Sequence, residues 1–212
     1  MVQNDLTYIQ QLVAQNVVKG PVLELGAGYG GMDCREVIRA AGFRYYSTDM
    51  HASRDVDFTA DLTNKDDLQV FANVAPFGSI LVLNVLEHTF DPVAVLDNCL
   101  EILMPNGLLV VLTPCVWPLH DYPVDTCRLN PNFYEQYSFQ RDLKLEEEHF
   151  HYVGVGRVRD FRGSEGSYRY PPPSKSIFYQ VYSKVVHELA HTAGRRMRFP
   201  GRLAIAAVFR KP

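Results

Sequence analysis

Cysteine is scarce in this sequence and badly spaced for a scaffold. The 212-residue chain has four, Cys34, Cys99, Cys115 and Cys127, with no C-x-x-C pair among them. That excludes an obvious zinc ribbon or disulfide framework and fits a reducing compartment. Long hydrophobic runs are missing too: no apolar stretch approaches the roughly 20 residues that span a bilayer. The opening MVQNDLTYIQQLV lacks the basic start and apolar run of a secretory signal. Positive charge is not in excess. Lys and Arg total 21 against 24 Asp and Glu, a net charge of −3, which argues against generic nucleic-acid binding. Internal repeats and long low-complexity segments are absent. What remains is ordinary globular composition, 47% hydrophobic and 21% charged, in a chain long enough to bury a substantial core. The expectation is one soluble, cytoplasmic domain over residues 1–212.

Short apolar runs alternate with helical patterns, which predicts a doubly wound α/β fold with a mostly parallel sheet. Leu6, Ile9, Leu12 and Val13 lie at helical spacing within residues 3–18, and Lys19-Gly20-Pro21 stops that helix. Residues 22–25 read as a buried strand, and a helix carries Val37, Ile38 and Ala41. Further strands fall at 44–48, 79–83 and 108–112, with a short helix at 66–73. Asp91-Pro92 opens a helix to about Leu103, with aspartate as cap and proline in the first turn. A helix over 131–140 and strands at 149–161 and 202–209 complete the pattern.

Gly26-Ala27-Gly28-Tyr29-Gly30-Gly31 satisfies two motifs at once: the dinucleotide pattern G-x-G-x-x-G, and E-x-G-x-G counted from Glu24. Both rely on glycine to turn sharply and let the backbone approach a ligand. A carboxylate two residues before the first glycine suits a ligand with a cationic amino group better than a pyrophosphate. Asp49, at the end of the second strand, is placed to take both hydroxyls of a ribose, in NAD or S-adenosylmethionine alike. Asp61-Leu62 offers an acceptor for an adenine amine and an apolar wall for its ring.

Several segments, in order, resemble the class I S-adenosylmethionine-dependent methyltransferases of the small-molecule type. VLELGAGYGG, YYSTDM, TADL, LVLNVLEHTFDP and PNGLLVVLTP match successive motifs of that family. The terminal LAIAAVFRKP resembles its last strand, which inserts antiparallel. The resemblance covers about residues 20–160 and 201–212 and implies a Rossmann-like, seven-stranded sheet. It also implies cofactor contacts from Glu24, Gly26, Ala27, Gly28, Asp49, Met50, Asp61, Leu62 and Asn84.

Transfer to a hydroxyl also requires a base. Two histidines are candidates: His88, beside Glu87 after the fourth strand, and His120, in His120-Asp121-Tyr122-Pro123-Val124-Asp125 followed by Arg128. Asp125 is read either as part of the catalytic cluster or as a structural partner of Arg128. The His-x-x-Pro-x-Asp-x-x-Arg spacing resembles one found in bacterial methyltransferases associated with glycans, which points to a saccharide acceptor. Some relatives, including ubiquinone O-methyltransferases, bind a divalent ion such as Mg through E-x-x-E-H. Here Asn84 replaces the first acid, leaving Glu87 and His88, with Asp121 or Asp125 to supply the missing charge.

His187-Glu188-Leu189-Ala190-His191 matches the zinc-hydrolase motif H-E-x-x-H, but residues 192–212 contain no Asp, Glu or His to complete it. Phe178, Val181, Tyr182, Val185, Val186 and Leu189 predict an apolar helical face instead. Zinc hydrolysis and NAD-dependent oxidation therefore stand as rival functions, as does cofactor binding without catalysis. Residues 162–202 hold eight Lys and Arg against two Glu, a local balance of +6 that leaves −9 for the rest of the chain. With Tyr168, Tyr170 and Tyr179 among them, these cations suit a helical lid (162–200) over a sugar or phosphorylated acceptor. A homodimer surface, a membrane-surface contact and a plain solvated basic face are the other readings.

Overall fold

The computed structural model describes residues 3–27, 33–117, 124–155 and 202–212, together with Val181 and Val185. Helix α1 (Gln3–Ala14) leads into β1 (Val22–Leu25), α2 (Arg35–Ala40), β2 (Tyr45–Asp49) and β3 (Phe58–Thr59). A 3-10 turn (Lys65–Phe71) precedes β4 (Phe77–Leu83), and a second (Leu86–His88) precedes α3 (Pro92–Glu101). Then come β5 (Leu103–Val116), α4 (Pro131–Gln140), β6 (Lys144–Leu145), β7 (His151–Val155) and β8 (Arg202–Arg210).

The sheet order is β3-β2-β1-β4-β5-β8-β6, seven strands along one path. β7 joins by pairing with β8 on the same side as β6: β6 meets residues 209–210 and β7 meets residues 202–206. β6 and β7 are thus two pieces of one edge, interrupted by the 3-10 turn Glu147–His149. Pairing from β3 to β5 is parallel, and every pairing that β8 makes, with β5, β6 and β7, is antiparallel. This is the Rossmann-like arrangement that the sequence pattern implies.

Alternation along the central strands feeds two cores. Ile80, Val82, Leu109, Val111, Ile205 and Phe209 face one side, where Leu96 of α3 and Tyr134 of α4 pack. Leu81, Leu83, Val110, Leu112, Ala206 and Val208 face the other, against Ile9 and Leu12 of α1 and Ile38 of α2. Burial on both faces is why β4 and β5 read as unbroken apolar runs. Local caps hold as the sequence predicts: Asp91 accepts the Ala94 N–H at 2.9 Å, and Asn130 accepts that of Phe133.

Several boundaries differ from the sequence pattern. α1 stops at Ala14 rather than near 18, β4 begins at Phe77 rather than 79, and the short helix expected at 66–73 is the 3-10 turn Lys65–Phe71. α3 stops at Glu101, and β5 begins at Leu103, because Leu103 already pairs with Phe77. Asn106-Gly107 is an irregularity inside β5, where the register shifts, rather than a turn ahead of it. His149 closes a 3-10 turn, so β7 starts two residues later. The basic segment 162–200 and the H-E-x-x-H motif lie outside the described residues. Val181 and Val185, within that segment, are helical and about half exposed. Among the described residues no helix is long and apolar enough to cross a membrane.

Candidate functional site

The parallel strands end along one edge of the sheet, where α/β folds bind ligands. β1 ends there in Gly26, at φ +73°, whose N–H donates to the Thr48 carbonyl of β2 at 2.8 Å. A Cβ on Gly26 would sit 2.7 Å from Val85 Cγ2, just beyond β4. Conformation and space both demand glycine. Ala27 reaches the same Thr48 carbonyl at 3.4 Å, and Gly28 lies outside the described residues.

Glu24 is buried beneath this turn, and its Oε2 accepts from the Cys34 N–H at 2.8 Å and the Tyr45 hydroxyl at 2.9 Å. It ties the start of α2 back to β1 and β2. Burial pushes its carboxyl up to about 7. The geometry therefore gives Glu24 a framing task that the sequence motif did not reveal. Asp49 ends β2, with Oδ1 accepting the His51 N–H at 2.9 Å, and Met50 beside it is half exposed. Asp61 Oδ1 accepts the Thr63 N–H and hydroxyl at 2.9 and 2.7 Å, which fixes its carboxylate in an Asx turn. Leu62 is buried, and its carbonyl accepts from Asn98 Nδ2 at 2.9 Å.

The two candidate catalytic segments meet. His88 Nδ1 lies 2.9 Å from the Val124 carbonyl, and Thr126 donates through its N–H and hydroxyl to the Glu87 carbonyl at 2.7 and 2.8 Å. The Cys127 thiol reaches the Leu86 carbonyl at 3.4 Å. A carbonyl only accepts, so His88 carries its proton on Nδ1 when neutral, and Nε2 is its basic nitrogen. Nε2 lies 3.7 Å from Glu87 Oε1. Of the two readings open for Asp125, the structural ion pair is present: both of its oxygens accept from the Arg128 guanidinium. His120 and Asp121 lie outside the described residues.

Glu87 has no exposed surface, and neither carboxyl oxygen has a hydrogen-bond partner among the described residues. Burial pushes its carboxyl up to about 8, against the pull of Arg128. Tyr134 of α4 is fully buried beside Thr113 of β5, and burial pushes its hydroxyl well above the usual range. Thr113 falls within the PNGLLVVLTP motif but is not singled out there as a site residue, and no sequence pattern marks Tyr134. No group of three or more His, Cys, Asp and Glu side chains among the described residues is arranged to hold a metal ion. Asn84, at the position of the missing acid, gives its amide N–H to Asp5 at 2.8 Å. The described side chains thus do not fit the divalent ion that E-x-x-E-H would bind.

Residues 6–156 match the family model of a methyltransferase domain. The chain belongs to that methyltransferase family. Its methyl donor is S-adenosylmethionine, and the glycine turn at the strand ends, with Gly26 at positive φ, fits that cofactor. Similar solved structures agree on the fold. A SAM-dependent methyltransferase from Archaeoglobus fulgidus is 15% identical, with 99% of this chain and 95% of that one covered and a TM-score of 0.53. The N-methyltransferase NodS from Bradyrhizobium japonicum, in complex with S-adenosylhomocysteine, is 14% identical over 99% and 87%, with a TM-score of 0.52. The CurJ carbon methyltransferase is 17% identical over 97% of this chain and 53% of that one, with a TM-score of 0.52. No curated protein matches the chain.

Proposed function

We propose that this methyltransferase methylates a hydroxyl oxygen of a small molecule, with a saccharide as the acceptor class. The observation that carries the reading is the His88–Val124 contact, which leaves Nε2 as the basic nitrogen next to the end of β4. In this reading His88 takes the acceptor's hydroxyl proton, and the oxygen attacks the sulfonium methyl in line. The S–CH3 bond breaks as the O–CH3 bond forms, and S-adenosylhomocysteine leaves. Glu87 Oε1, 3.7 Å from Nε2, accepts from the imidazolium N–H once His88 holds the proton. His120 is the second candidate base, and Asp125 acts by holding Arg128 for an anionic or polar acceptor.

The cofactor would lie along the strand ends. Gly26, Ala27 and Gly28 would pass under its amino-acid end, with Glu24 bracing the turn. Asp49 would take the ribose hydroxyls, and Met50 and Leu62 would flank the adenine, whose amine would donate to Asp61. Asn84 would meet the amino-acid group from the β4 side. Phe90, 91% exposed two residues after His88, offers a face on which a sugar ring can stack. Turnover assays with matched hydroxyl, amine and activated-carbon acceptors, including glycosides, test the reading. Methyl transfer to oxygen alone is expected; transfer to nitrogen or carbon alone would overturn it.

A further inference from the structure

Helix α1 is fastened to the sheet by Tyr8, Ile9 and Leu12, and its first turn delivers Asp5 to the tip of β4. Asp5 is 3% exposed, and its Oδ2 accepts from Asn84 Nδ2 at 2.8 Å across 79 residues of sequence. Asn84 itself is in the left-handed region at φ +55°, with its N–H donating to the Leu112 carbonyl of β5 at 2.8 Å. The next residue, Val85, is the one that crowds Gly26. A buried side chain of the amino-terminal helix is therefore tied to the residue that follows β4.

We propose that Asp5 is a positioning residue for the methyl donor, acting through the side chain of Asn84. With its N–H given to Asp5, the Asn84 amide turns its carbonyl oxygen to the other side, where a cationic ammonium group can be received. A carboxylate behind the N–H polarises the amide and makes that oxygen a stronger acceptor. The same bond holds Asn84 in a backbone conformation that few residues other than glycine adopt. Docking of α1 and binding of the cofactor are thereby coupled. The inference rests on the reading that Asn84 meets the amino-acid end of the cofactor.

The test is calorimetric titration of the full chain with S-adenosylhomocysteine, which carries the same ammonium group. The variants are Asp5→Ala, Asn84→Gly (which tolerates the positive φ), the double variant, and Asp5→Asn. Asp5→Ala and Asn84→Gly are each expected to weaken binding about tenfold, the scale of a hydrogen bond to a charged group. The double variant is expected to bind no more weakly than the weaker single one, and Asp5→Asn, which still accepts the bond, to stay within about threefold of the native chain. Additive losses would overturn the proposal, as would an Asp5→Ala chain with a lower Tm and native affinity. Should Asp5→Ala fail to fold, Asp5→Asn in the native and Asn84→Gly backgrounds still decides: a tenfold loss in both overturns it. If Asn84→Gly weakens binding and Asp5→Ala does not, only the Asp5 proposal fails. If neither matters while the native chain binds, the placement of Asn84 fails with it.

Discussion

The Nδ1 atom of His88 lies 2.9 Å from the carbonyl oxygen of Val124, 36 residues further along the chain. One contact thus joins the turn after β4 to the loop after β5 and selects the tautomer of the candidate base. Loss of that base is expected to cost about 100-fold or more in turnover. His88→Ala should lower kcat by that amount and leave affinity for S-adenosylhomocysteine within about twofold. A kcat unchanged by His88→Ala and abolished by His120→Ala would move the role to His120.

Glu87 gives the stability of the fold a pH dependence of definite sign. Its folded carboxyl titrates at about 8, against an ordinary 4.5, because burial disfavours the charge. The stability it contributes is full below about pH 4.5 and is lost as pH rises through about 8, where the unfolded chain has already released that proton. Glu24, pushed up to about 7, adds a slope of the same sign over a narrower window. Glu87→Gln is neutral throughout and should flatten the curve between about pH 5 and 8. At pH 8 it should exceed the native chain by an amount on the order of 2–4 kcal/mol. Denaturant titrations at pH 5, 7 and 8 measure this, and an unchanged slope would show that Glu87 is ionised in the fold.

Gly26→Ala should injure the cofactor site more than its size suggests. The left-handed backbone costs a non-glycine residue about 1–2 kcal/mol. The new methyl would also press on Val85 Cγ2, 2.7 Å from an ideal Cβ. Relief requires the β1 and β4 tips to part, so affinity for S-adenosylhomocysteine should fall about tenfold or more. Native affinity in this variant would mean that the cofactor does not use the turn.

The parts of the fold legible in the sequence are those set by local chemistry. α4 begins at Pro131 behind Asn130 because the cap and the proline act within four residues of one another. β4 and β5 were legible because burial on both faces writes an apolar run. β6 was not: Lys144–Leu145 is too short to show a period and is a strand only because β8 lies beside it. The start of β5 was obscured for the opposite reason, a strong Asn106-Gly107 turn signal that pairing between Phe77 and Leu103 overrides.

Within the site, residue types were legible and partners were not. The E-x-G-x-G spacing singled out Glu24 as a ligand-facing acid, yet its Oε2 is engaged by Cys34 and Tyr45, which come from other elements. Asp125 and Arg128 sit three residues apart, and that proximity made their pairing readable. Asp5, 79 residues from Asn84, left no trace in any pattern, since a carboxylate in a first helical turn is commonplace.

The most direct measurement is calorimetric titration of the native chain and of Asp49→Ala with S-adenosylhomocysteine, with NAD in parallel. The account predicts micromolar binding of S-adenosylhomocysteine to the native chain, a marked loss in Asp49→Ala, and no binding of NAD. Binding of NAD instead, or native affinity in Asp49→Ala, would contradict it.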